Sequence, residues 1–230
     1  MADAPAGLAA MRVYGDRMNG QRRDNGFTLI ELLIVIVVLV LLASIVAPFL
    51  GRARVMAKII QSHSDLRNIT LAIELYRQEN SRRIPPTRFS CSSRTAYELP
   101  VELMSYLPAG RKNGMDIVRM PDPFTPDECY KYRAVGTAIM NESTIVENAA
   151  KLWIPDGFPY AQTDTGRYYN NPNTSPVRYA VWSMGPDPTS PKFDIPGRLP
   201  LPSKYWLKSA SDTGVIVHCE DVNRQIYMSP

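Results

Sequence analysis

Catalytic equipment is scarce in this chain of 230 residues. It holds two histidines, His63 and His218, and three cysteines, Cys91, Cys129 and Cys219. No Cys-x-x-Cys pair occurs, and His218 and Cys219 are neighbours that point to opposite sides of a predicted strand, so metal-ligand spacing is absent. There is no Gly-x-Ser-x-Gly elbow to support a nucleophile and no glycine-rich loop to cradle phosphate. A lone strand histidine such as His218 is read as structural, and the protein is expected not to be an enzyme. Charge is also modest, at +4 with a pI near 9.0. The basic residues past position 50 lack interleaved aromatics and a nucleic-acid-binding motif. They are read as a solvated face, with no nucleic-acid partner. Internal repeats and low-complexity tracts are missing as well.

What is present is one long apolar run. From 29 to 50 the only strongly polar side chains are Glu31 and Ser44. That stretch makes about 33 Å of helix against a hydrocarbon core of about 30 Å. It exceeds the apolar region of an ordinary secretory signal, and no small-residue cleavage site follows it. A membrane span is therefore expected, with one anomaly. A carboxylate facing lipid costs about 2.5 kcal/mol or more, so Glu31 demands a reason.

Beyond Pro48 and Gly51 the pattern turns amphipathic. Leu66, Ile69, Ile73, Tyr76 and Asn80 step by three and four, with Arg67, Glu74, Arg77 and Gln78 mostly off that stripe. One helix, loosened at Pro48 and Gly51, is predicted from Phe27 to about Asn80, and Pro85-Pro86 ends it. Proline is plentiful, 20 residues in all, so the remainder should be rich in loops and short strands. A short helix is predicted over 95–107, with Pro100 in its first turn. Pro121-Asp122-Pro123-Phe124 reads as a rigid turn, and 130–135, which alternates, as a strand. Residues 214–219 and 224–228 read as a closing hairpin. The three cysteines allow three single pairings, and the sequence does not choose among them.

Gly26-Phe27-Thr28-Leu29-Ile30-Glu31, the preceding Arg22-Arg23 and the apolar run together resemble the N-terminal signature of type IV pilins and type II secretion pseudopilins. Pro48 stands where the family commonly has a proline. Asp122-Pro123-Phe124 followed by Tyr130-Lys131-Tyr132, and Tyr179-Ala180-Val181-Trp182-Ser183-Met184-Gly185-Pro186-Asp187, resemble blocks of the major pseudopilins, the second implying a strand over 179–183.

The resemblance implies a pilin-like α+β fold. A long N-terminal helix, membrane-spanning in its first half, would pack against a small antiparallel β-sheet head. The expected organisation is a leader over 1–26, a transmembrane and assembly segment over 27–50, an amphipathic helix over 51–84 and a globular head over 85–230. Met18 offers a shorter leader start than Met1. Cleavage is expected between Gly26 and Phe27, methylation on Phe27, and a role in assembly for Glu31. The implied partners are the prepilin peptidase/methyltransferase, other copies of the chain, related pseudopilins and an inner-membrane assembly platform. The head would lie in the periplasm. The function implied is a structural subunit of a type II secretion pseudopilus. The alternatives are a type IV pilus subunit, or a membrane-tethered binding or enzymatic domain on a pilin-like anchor.

The relatives' calcium loop departs here into Pro188-Thr189-Ser190-Pro191-Lys192-Phe193-Asp194. Asp187 and Asp194 are its only carboxylates, too few for the six to eight oxygens calcium takes, so no cofactor is expected. The stretch 137–174 has no counterpart in the family pattern.

Overall fold

The computed structural model describes residues 27–89, 98–107, 111–112, 115–116, 120–140, 143–160, 162–189 and 200–230. The chain divides into two units, Met1–Val46 and Ala47–Pro230.

Helix α1 spans Leu29–Glu79 and passes through Pro48 without ending. Pro48 lacks the N–H that would bond the carbonyl four residues earlier, and no break separates the helix before it from the helix after it. In the first unit every described side chain is exposed, from Phe27 through Val46. The helix is long and apolar enough there to cross a membrane.

Within Ala47–Pro230, α1 buries Ile59, Ser62, Leu66, Ile69, Thr70, Ala72, Ile73 and Arg77. These recur at three- and four-residue steps, as a one-sided helix requires. The predicted stripe of Leu66, Ile69 and Ile73 is confirmed, and Tyr76 packs against the same core half-buried. Arg77 corrects the sequence reading, which set it off the stripe. It is 2% exposed because Glu220, itself 4% exposed, meets it from the sheet.

That sheet has the order β11-β10-β9-β4, with β4 at Lys131–Ala134, β9 at Val177–Ser183, β10 at Ile216–Asp221 and β11 at Ile226–Met228. All of its pairings are antiparallel, including the expected closing hairpin of β10 and β11. Because successive strand residues face opposite ways, the sheet serves two cores. Tyr132, Ala134, Tyr179, Val181 and Ile216 pack with the α1 residues and with Leu99, Leu103 and Leu107. Ala180, Trp182, Val217 and Cys219 pack with Leu152, Ile154, Leu201, Tyr205 and Trp206.

The unmatched stretch 137–174 therefore has a structural role. It supplies β7, Leu152–Pro155, whose Leu152 and Ile154 cover the sheet face turned away from α1. β7 pairs with β8, Gly166–Tyr169. A separate sheet orders β1 (Thr87–Phe89), β5 (Gly136–Met140) and β6 (Thr144–Ala150). There β1 joins β5 in parallel, a departure from the all-antiparallel expectation. A two-stranded ribbon, β2 (Arg111–Lys112) with β3 (Met115–Asp116), completes the described strands. The short helix predicted over 95–107 is reduced to a single 3-10 turn, Val101–Leu103, with Pro100 as its N-cap. Residues 95–97 of that prediction lie outside the described residues.

Candidate assembly site at the start of the helix

Of the expected processing pair, Gly26 lies outside the described residues, and Phe27 is 79% exposed. Thr28 follows, and its chemistry explains how α1 begins. The Thr28 backbone N–H and its hydroxyl both donate to Glu31 Oε2, each at 3.0 Å. The Glu31 backbone N–H donates back to Thr28 Oγ1 at 3.2 Å, and Leu32 N–H donates to the Thr28 carbonyl at 3.2 Å. This is a reciprocal capping box, in which threonine and the glutamate three residues later satisfy backbone donors left over in the first turn. The carboxylate also opposes the positive end of the helix dipole.

Glu31 thus has a role inside its own helix as well as the one expected between subunits. The sequence reading passed over Thr28. The signal was there, a threonine three residues before a glutamate at the head of an apolar run.

The two internal blocks that carried the resemblance meet at one side chain. Asp122 is 1% exposed. Its Oδ1 accepts from Phe124 N–H and its Oδ2 from Met184 N–H, both at 3.0 Å. The Asp-Pro-Phe turn is thereby stapled to the loop after β9. Gly185 follows with φ 73°, and a Cβ there would lie 1.9 Å from the Gly214 carbonyl oxygen, so only glycine fits.

Of the two carboxylates considered for calcium, Asp187 accepts the Thr189 hydroxyl at 3.0 Å, and Asp194 lies outside the described residues. Among the described residues no three His, Cys, Asp or Glu side chains gather as a metal set.

The histidines, separate in sequence, are brought together. His63 Nδ1 and His218 Nε2 are 3.4 Å apart. Burial pushes the His218 imidazole down to about 4, with His63 and Arg67 adding to the effect. Burial also lowers His63, opposed by a backbone hydrogen bond with Pro230. On the other face of β10, Cys219 is a buried, unbridged thiol, pushed well up by burial. Cys129 is also buried, and Cys91 lies outside the described residues. Among the described residues, no catalytic constellation forms around either histidine.

The model of the prokaryotic N-terminal methylation motif matches residues 21–47. The chain is also similar to the type II secretion system core protein G of Pseudomonas aeruginosa, 35% identical over 60 residues. That is 26% of this chain and 42% of the relative. It is also similar to the core protein G of Aeromonas hydrophila, 39% identical over 62 residues, 27% of this chain and 43% of the relative. The matched stretches thus span about two-fifths of the length of these curated relatives. No solved structure matches the chain. The methylation motif coincides with the capping box and the exposed part of α1, so the site's geometry and its likeness fall on the same residues.

Proposed function

We propose that the protein is a structural subunit of a type II secretion pseudopilus. In this reading prepilin peptidase cleaves after Gly26 and the new Phe27 amine is methylated. The 27–50 segment holds the subunit in the inner membrane, with the 51–84 helix and the 85–230 head in the periplasm. Subunits then leave the membrane for a helical filament built from copies of this chain and related pseudopilins on an inner-membrane platform. The chain has no catalytic role, binds no nucleic acid and needs no calcium.

The observation that carries the reading is the apolar surface of α1. It is exposed throughout 29–46, headed by the methylation motif, and answered by two secretion relatives. Apolar side chains also stand exposed further along, at Met56, Ile60, Leu71 and Leu75. Stacking such helices by heterologous, non-closing contacts builds a filament.

Glu31 sets the register. Its Oε2 is engaged by Thr28, and an incoming subunit's Phe27 amine provides the opposite charge. An unpaired buried charge costs about 3–5 kcal/mol, so only the stagger that pairs them is stable.

Mass spectrometry of the mature protein from membranes tests processing. The expected N-terminus is a methylated Phe27, and a mature chain retaining residues before Phe27 refutes it. Glu31→Leu is expected to insert and be cleaved but to abolish filaments and export. Normal filaments from that variant would refute the register mechanism.

A further inference from the structure

We propose that His63 and His218 form an acid-released clamp that holds α1 on the central sheet.

His63 lies on α1 and His218 on β10, with 155 residues of sequence between them, and their ring nitrogens face each other at 3.4 Å. His218 is 2% exposed. In the neutral pair, one imidazole N–H donates to the other ring's bare nitrogen, so both facing nitrogens are satisfied. The pair can accept a first proton by presenting an N–H from the charged ring to the neutral one. A second proton leaves two N–H groups opposed, two cations in contact and no acceptor between them.

The surroundings relieve only His63, through its backbone hydrogen bond with Pro230. From α1, the charged group acting on His218 besides His63 is Arg67, a further cation. On the flanking strands, the residues in register with His218 are Val181 on β9 and Met228 on β11, both without charge. The next residue on the same face of β10 that carries charge is Glu220, which is already committed to Arg77 at 2.7 Å. Asp65, on the helix turn beside His63, accepts the Tyr130 hydroxyl at 2.9 Å. His63 is further tied to the backbone of Pro230, and Ser229 is bound to Val217 through both its N–H and its hydroxyl oxygen. Opening the pair therefore loosens α1 from β10 and from the last residues beside it.

The sign follows from linkage. Both imidazoles are held below the ordinary histidine value of 6.5 in the closed pair. The open state binds more protons, so the clamp is closed above pH 6.5 and its stability is lost progressively as pH falls from 6.5 through about 4. In that interval the opening equilibrium due to His218 rises by up to about tenfold per pH unit.

The test uses the full chain in neutral detergent micelles, from pH 7.5 to 4. Two quantities are followed: the imidazole carbon-bound proton resonances by NMR, and amide hydrogen exchange over 59–73, corrected for intrinsic rates. The expected result is His218 still neutral at pH 5.5, with exchange over 59–73 accelerating as the pH drops below that. His63→Gln and His218→Gln remove most of that acceleration. Arg67→Gln, at an exposed position, raises the pH at which His218 titrates. If His218 titrates near 6.5 in the wild-type chain, or if both glutamine variants keep the full acid-dependent acceleration, the clamp is refuted. Should either glutamine variant fail to fold, the wild-type resonances and Arg67→Gln still decide.

Discussion

The two stretches of α1 make the same secondary structure for different reasons. Over 29–46 every side chain is exposed, and the one carboxylate is satisfied within the first turn by Thr28. Over 59–77 the helix is one-sided. Leu66, Ile69 and Ile73 are wholly buried, and the one buried cation, Arg77, is met by Glu220 from β10. The first stretch needs only its own sequence and an apolar medium or neighbour to be stable. The second is held by residues far along the chain. A polar group is tolerated in each, but in the first its partner is local, whereas in the second a distant carboxylate, Glu220, joins the local Glu74 at 3.0 Å.

The largest effect that would break this comparison is at Ile73. Ile73→Asp places an unpaired charge among buried apolar side chains and is expected to cost more than about 4 kcal/mol, unfolding the head. Leu71, two residues earlier, is 57% exposed, and Leu71→Asp is expected to change head stability by about 0.5 kcal/mol or less. Chemical denaturation followed by tryptophan fluorescence measures both. Equal effects would show that the buried face has been misplaced.

Next in size is the distant ion pair. Glu220→Leu leaves the Arg77 guanidinium in the core with only the half-exposed Glu74, at 3.0 Å, and should destabilise by about 2–3 kcal/mol, whereas combining it with Arg77→Met should recover most of that loss. A double variant no more stable than the single one would mean that the charges act independently.

The smallest effect sharpens the other side. Thr28→Val removes the cap and should cost about 1 kcal/mol of local helix stability, while Thr28→Ser keeps it. Faster amide exchange at residues 31–32 in micelles is the readout, with the head's unfolding midpoint unchanged. A shifted midpoint would contradict the local character of that contact.

These contrasts also mark what could be read in advance. The apolar run, the methylation motif and the Leu66-Ile69-Ile73 stripe were legible because each depends on neighbours within a turn or two of helix. The capping of Glu31 by Thr28 was equally legible and was missed. The strand at 130–135 was found from alternation, the one at 179–183 from the resemblance, and the closing hairpin from two short runs joined by a turn. Alternation did not disclose that the central sheet is covered on both faces, nor that Leu152 and Ile154 of the unmatched stretch 137–174 form the second cover.

Sequence alone determined the membrane-length helix and its charged head, since helix capping, periodicity and apolar length are properties of a few consecutive residues. The burial of Arg77, the meeting of His63 with His218, and the stapling of two loops by Asp122 were decided by the tertiary structure. Each depends on a partner 62 to 155 residues away. A polar side chain is read as exposed until the fold delivers the group that compensates for its burial.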